Sequence, residues 1–158
     1  MDRDELAGQI GAELAELQAA YDDSDRALAE HLGVGRTDLR CLDLIVRGGP
    51  RTAGALATAL HLAPGSVTAL LDRLERAGYL HRRPDPHHGR RVLVAPTPHL
   101  VKIIEPIMAR RIHRGRAQLE HYDNNQLALI RDFLHRTREN HRQQSDQLRA
   151  NSSRQQLT

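Results

Sequence analysis

Six arginines, Arg73, Arg76, Arg82, Arg83, Arg90 and Arg91, crowd between residues 73 and 91 of this 158-residue chain. The same stretch holds two acids, Glu75 and Asp85, with Asp72 just outside it. Its surplus of positive charge equals or exceeds the +3 of the whole chain. Fixed cations at this density suit phosphates, because each phosphate they neutralise releases condensed counterions. Arginine adds a planar five-donor fork that fits phosphate and guanine edges. The chain's total says less than this placement. Lys102 is its only lysine, and a compositional bias toward Arg and Ala explains the count equally well. A plain solvated hairpin is the competing reading of the cluster.

Other residue types point to fewer chemistries. Ten histidines raise the question of zinc. Yet His87 and His88 are adjacent, and the pairs His113/His121 and His135/His141 miss the i,i+3 or i,i+4 spacing of helical ligands. Cys41 is the only cysteine, so no intrachain disulfide and no Cys pair for a metal exist. No metal site is expected. Cys41 reads as a buried structural thiol; a sensor would need exposure and a lowered pKa. A Gly-rich phosphate loop, H-E-x-x-H and G-x-S-x-G are all missing, and the histidines lack a nucleophile partner. No catalytic residues, no cofactor and no enzymatic activity are expected.

Which elements must carry the arginines? Leu6, Ile10, Leu14, Leu17, Tyr21, Leu28 and Leu32 recur at helical steps, predicting one long helix over about 4–32, ended by Gly33 and Gly35. Thr37 is read as the cap of a helix over 37–47 with Leu39, Leu42, Ile45 and Val46. Thr52 opens a short third helix, followed by a turn at 61–63. Pro64 stands where a first helical residue belongs. From it runs "PGSVTALLDRLERAG", with Val67, Leu70, Leu71 and Leu74 on one face and Gly78 closing it. Strands are predicted at 80–83 and 91–95 around a basic loop. Thr97-Pro98 opens a helix to about 120, which Pro106 should kink. Asp123 opens a last helix with Leu127, Ile130 and Leu134.

Short helix, tight turn, helix and then a hairpin is the plan of a winged helix-turn-helix. On a wheel, Gly65, Ala69, Asp72 and Arg76 of the helix 64–77 point outward, flanked by Ser66, Thr68 and Arg73. Small residues at the first turns let the backbone approach a base edge or phosphate. Ser66 and Thr68 supply short hydroxyls. Arg73 and Arg76 lie further along, where a groove-bound helix meets the phosphate walls. Arg90 and Arg91, at the loop's exit, can reach a minor groove. The bland alternative is a solvated amphipathic helix with an Asp72–Arg76 pair.

The stretch from "LRCLDLIVRGGPRTAGALATALHLAPGSVTALLDRLERAGYLHRRPDPHHGRRVLVAPTP" resembles the MarR family of winged-helix transcription regulators. The likeness covers about residues 28–98 and is strongest in "PGSVTALLDRLERAGYLHRRPDP" and the strand-then-"TP" exit; the flanking helices match in layout. The family wing usually reads D-R-R after the D-P pair, and here those positions are His88-Gly89-Arg90. Family members often have Leu before the Thr and Gly shortly after, where Pro96 and Leu100 stand. Ala69 occupies a place that often holds Arg. The resemblance implies a homodimeric, sequence-specific repressor on double-stranded DNA, acting at an inverted repeat and released by a small-molecule signal. A small apolar or aromatic effector is expected in a cleft near Tyr21 and His31.

Composition agrees with this outline. Hydrophobic residues make 39% of the chain and aromatics only 3%, too few large side chains for a compact lone globule. Apolar stripes at both ends of the chain need a partner, and a second copy supplies one. The fold class is mainly α with a small β wing: a winged helix-turn-helix lobe plus long dimerisation helices. The expected divisions are 1–35 for an N-terminal dimerisation helix, 36–97 for the DNA-binding lobe, 98–150 for C-terminal dimerisation helices, and 151–158 for a frayed tail. No run approaches the ~20 apolar residues of a membrane span, and the N-terminus lacks a signal core, so a cytoplasmic protein with no membrane partner is expected. A sequence-indifferent architectural DNA binder is the alternative function; uniform binding to all duplexes would distinguish it.

Overall fold

The structure is a computed structural model and describes residues 2–155. The helices are α1 (Arg3–Leu32), α2 (Arg36–Gly48), α3 (Ala53–Leu60), α4 (Pro64–Arg76), α5 (Pro98–Leu119) and α6 (Asn124–Gln155). Between α4 and α5 lies an antiparallel hairpin of β1 (Leu80–Asp85) and β2 (His88–Pro96). The mainly α fold with a small β wing is as expected. Among the described residues no single helix is long and apolar enough to cross a membrane. The chain divides into two units, residues 1–105 and 106–158.

The first unit is built around α2 to α4 and the hairpin. Leu42, Ile45, Leu56, Leu71, Leu74 and Leu80 are fully buried, and Leu100 of α5 joins them. Burying a side chain of this size stabilises by about 1.5–3 kcal/mol each. α3 starts at Thr52, whose hydroxyl accepts from the Ala55 N–H at 3.2 Å. It stops at His61, which takes a left-handed φ of 54°. Pro64 then begins α4, and α3 and α4 meet at 110°, within the range of a helix-turn-helix. α4 closes at Gly78, at φ 76°, with the Tyr79 N–H returning to the Leu74 carbonyl at 3.0 Å. Thr97 fastens the other end of the hairpin: its hydroxyl donates to the Gly78 carbonyl at 2.6 Å and accepts from the Leu100 N–H at 3.2 Å.

Two local expectations are corrected. α2 is capped by Gly35, not Thr37. Gly33 turns α1 off in a left-handed conformation and Gly35 is extended, so the chain enters α2 at Arg36, and the Leu39 N–H reaches the Gly35 carbonyl at 2.9 Å. The basic "loop" is mostly strand. Only Pro86 and His87 form the turn, because the Asp85 carboxylate accepts from the His87 N–H at 2.9 Å and closes the chain tightly. Pro84 is tolerated because β1 pairs on one side only, and the register shifts beside it, between Pro84 and Asp85. The sequence also gave no sign of Arg51, which bridges the outer edge of β2: its N–H donates to the Val94 carbonyl at 3.1 Å, and the Val94 N–H donates back at 2.7 Å.

In the second unit, Asp123 and Gln126 form a reciprocal capping box at the start of α6, each backbone N–H donating to the other's side chain at 2.9 Å. α6 runs to Gln155, so the tail expected to fray, 151–158, is helical up to there; residues 156–158 lie outside the described residues. Pro106 falls inside α5, at the division between the two units.

Candidate nucleic-acid interface

α4 buries Val67, Leu70, Leu71 and Leu74 and exposes Gly65, Ser66, Thr68, Ala69, Asp72, Arg73 and Arg76. The wheel reading of its faces therefore holds. At its N-terminus Ala63 supplies no side-chain cap, so first-turn N–H groups are left without one at the positive end of the helix, and a Cβ built on Gly65 would meet nothing within 4 Å. Ser66 stands exposed next to them. Thr68 is committed differently: its hydroxyl donates to the Pro64 carbonyl at 3.1 Å. What Thr68 shows outward is an acceptor oxygen and a methyl group.

The six arginines separate into two kinds. Arg73 makes a forked pair with Asp38 of α2, Nε to Oδ2 at 3.0 Å and Nη2 to Oδ1 at 2.6 Å. The Asp38 carboxylate is buried, and its hydrogen bond holds the Arg73 guanidinium above its ordinary pKa. Arg73 thus ties α4 to α2 and keeps its remaining donors for other partners. Arg82 is gripped by both Asp72, at 2.6 Å, and Glu75. The Asp72–Arg76 pair weighed from the sequence does not form. Asp72 turns its carboxylate to Arg82, and the Arg76 Nε donates to the Asp72 backbone carbonyl at 3.2 Å.

Arg76, Arg83, Arg90 and Arg91 are exposed and have no ion pair among the described residues. Three of them lie on the hairpin and one on the last turn of α4. Arg83, opposite Leu93 in the register, belongs with them. The sequence placed it in the cluster without singling it out, although period-two alternation from buried Leu80 was available as a signal. Arg91 also acts on Asp85, whose carboxyl is held below its ordinary pKa first by the His87 N–H and then by His88, Arg91 and His87. No such signal exists for Asp38, whose partner is 35 residues away.

The candidate effector residues do not converge. Tyr21 is 65% exposed and His31 is exposed. A groove of about 220 Å³ lies nearby, lined by Asp22, Arg26, Ala29, Glu30, Val34 and Arg36, and includes neither. Cys41 is fully buried, and that burial pushes its thiol up to about 12.

Residues 32–91 match the MarR family profile. The uncharacterised HTH-type transcriptional regulator YcgE of Bacillus subtilis (strain 168) is 38% identical over 109 residues, covering 69% of this chain and 71% of YcgE. This chain belongs to the MarR family. It is accordingly a DNA-binding transcription regulator. The MarR fold recurs in a family protein from Bacillus stearothermophilus at 20% identity, with a TM-score of 0.64 over 89% of this chain and 98% of that one. It recurs too in NadR, solved in complex with 4-hydroxyphenylacetate, at 24% identity and a TM-score of 0.57 over 81% and 91% of the chains. Against the usual MarR wing, His88 takes the place of the acid, and Asp85 holds the turn from three residues earlier.

Proposed function

We propose that this MarR-family regulator represses transcription as a homodimer on an inverted-repeat operator, with α4 in the major groove and the hairpin alongside. The observation that carries this reading is the uncapped, exposed start of α4 on an element whose last turn, together with the hairpin, carries four exposed arginines that have no ion pair among the described residues. Gly65, Ser66 and Thr68 are the residues placed to meet bases or nearby phosphates. Arg76, Arg83, Arg90 and Arg91 are placed to neutralise phosphates, with Arg90 and Arg91 at a minor groove. Arg73 adds its remaining donors at the groove wall. Two lobes related by a two-fold axis would engage half-sites one helical turn apart, roughly 10 bp centre to centre. A regulator of this kind acts in the cytoplasm and catalyses no reaction of its own.

Support for release by a small molecule comes from NadR, whose solved complex holds 4-hydroxyphenylacetate. A small aromatic acid of that class is the effector to try first, with Tyr21 and His31 as the residues to vary.

The test is a binding selection on randomised duplexes with the parent, Ser66→Ala and Thr68→Val. The expected parent result is one inverted repeat, with Ser66→Ala changing the preference at one symmetric pair of positions at a cost of about 1–3 kcal/mol. Thr68→Val keeps the methyl and removes the acceptor. It preserves the motif if the methyl packs on a thymine and shifts it if the oxygen accepts from a base amino group. A parent that selects no motif belongs to an architectural binder instead.

A further inference from the structure

We propose that Arg82 is a positioning residue for DNA binding: it braces the wing against α4 and makes no phosphate contact itself. This rests on the reading that α4 and the hairpin both touch the duplex.

Arg82 is held from three directions. Its backbone N–H donates to Glu75 Oε1 at 3.1 Å, its Nη1 donates to Glu75 Oε2, and its Nη2 donates to Asp72 Oδ1 at 2.6 Å. Asp72 and Glu75 are one helical turn apart on α4, so they present their carboxylates side by side. Its strand neighbour in the register is Val94, which is buried and is itself bonded on its other edge to Arg51. The Arg82 backbone is therefore fixed at the same time as its side chain.

Charge decides what this trio can do. One guanidinium shared by two carboxylates leaves a net charge of −1, which does not attract phosphate. Geometry supplies the alternative. At ~3.3 Å per residue the turn at Pro86 lies about 13 Å beyond Arg82. A tilt of about 10° around the brace would move the turn by about 2 Å, enough to break hydrogen bonds there. Arg90 and Arg91 start back from that turn along β2. The brace thus sets whether wing and α4 meet one duplex in the same register.

The test compares Arg82→Gln, Arg82→Lys and the double variant Asp72→Ala with Glu75→Ala. Alanine keeps α4 helical, and the double variant leaves the Arg82 charge in place. Affinities are measured across a salt series, for the duplex the parent selects from a random pool and for a scrambled duplex of the same length. The brace predicts that Arg82→Gln lowers the ratio of the two affinities at least tenfold without changing the salt slope on the scrambled duplex. It predicts that the acid-free double variant lowers the ratio too, while binding the scrambled duplex more tightly, and that Arg82→Lys falls between. A slope reduced by about one in Arg82→Gln, with an unchanged ratio in the double variant, would make Arg82 a phosphate contact and overturn the proposal. Arg90→Ala serves as the reference and should lower the slope by up to about one. If it leaves the slope unchanged, the wing is not on DNA, and the functional reading fails along with the brace. If Arg82→Gln does not fold, the double variant and Arg82→Lys decide the matter.

Discussion

Cys41 illustrates how one residue's surroundings settle its chemistry. It is fully buried in α2, and desolvation, helped by the nearby Asp38 charge, pushes its thiol to about 12 from an ordinary 9.0. Only the thiolate reacts with alkylating agents and peroxide. Three pH units correspond to a thiolate fraction about a thousandfold lower. We expect iodoacetamide at pH 8 to leave the folded protein unlabelled over hours and to label it rapidly in urea, and mild peroxide to leave DNA affinity unchanged. Rapid native labelling would show that α2 opens. The sign of the pH effect follows from the same burial. The folded state holds the proton more tightly, so this contribution to stability is complete below about pH 9 and is lost as pH rises toward 12. The buried reading was available from the sequence, since Cys41 lies among apolar neighbours at helical spacing. The outward set Gly65, Ser66 and Thr68 was equally legible. The roles of Arg73 and Arg82 were not, because the acids that hold them lie in other elements and leave no local pattern. Counting charge along the chain treated all six arginines as equivalent, and folding removes two from that count.

At the scale of elements, the punctuation of the chain was mostly readable because caps and breakers act locally. Thr52, Pro64, Gly78, Thr97 and Asp123 all stand where helices start or stop. The strand ends were not readable. A stretch containing two prolines, two histidines and a glycine looks like a loop. It becomes strand because the Asp85 carboxylate makes a two-residue turn and because β1 has a free edge that tolerates Pro84. Gly78 tests this reasoning directly. Its φ of 76° is open to glycine, whereas a residue with a Cβ pays about 1–2 kcal/mol to adopt it. Space is not the issue, as nothing lies within 4 Å of a Cβ built there. Gly78→Ala should therefore lower unfolding free energy by about 1–2 kcal/mol in a urea titration with an unchanged slope. No loss would mean that the helix end and the hairpin root relax together, and that the Thr97 bond to the Gly78 carbonyl does not fix the junction.

At the scale of the whole molecule, large apolar side chains on both α1 and α6 stay exposed. Leu6, Ile10 and Leu17 share one stripe of α1 and remain 44%, 40% and 47% exposed, while Leu28 and Leu32 further along the helix are packed in. In α6, Leu129, Phe133 and Leu134 are exposed as well. A lone soluble chain seldom leaves so much large apolar surface in water at helical spacing. The sequence already pointed here, since its few aromatics and long stripes left the ends of the chain without a core. It had no means of giving the fit of the proposed dimer, which depends on surfaces formed only after folding. We expect the parent to sediment at twice the 17.8 kDa of one chain at micromolar concentration. Its thermal midpoint should rise with protein concentration, because mass action stabilises a folded state that exists only in association. Ile10→Glu combined with Leu17→Glu places two charges on the stripe. This variant should lower the sedimenting mass toward one chain and weaken operator binding by at least tenfold, while Arg90→Ala changes DNA affinity and leaves the mass alone. If the double glutamate variant keeps the parental mass, the α1 stripe is not the contact, and association must rest on α6. If the parent itself sediments as a single folded chain, the two-fold operator has no structural basis.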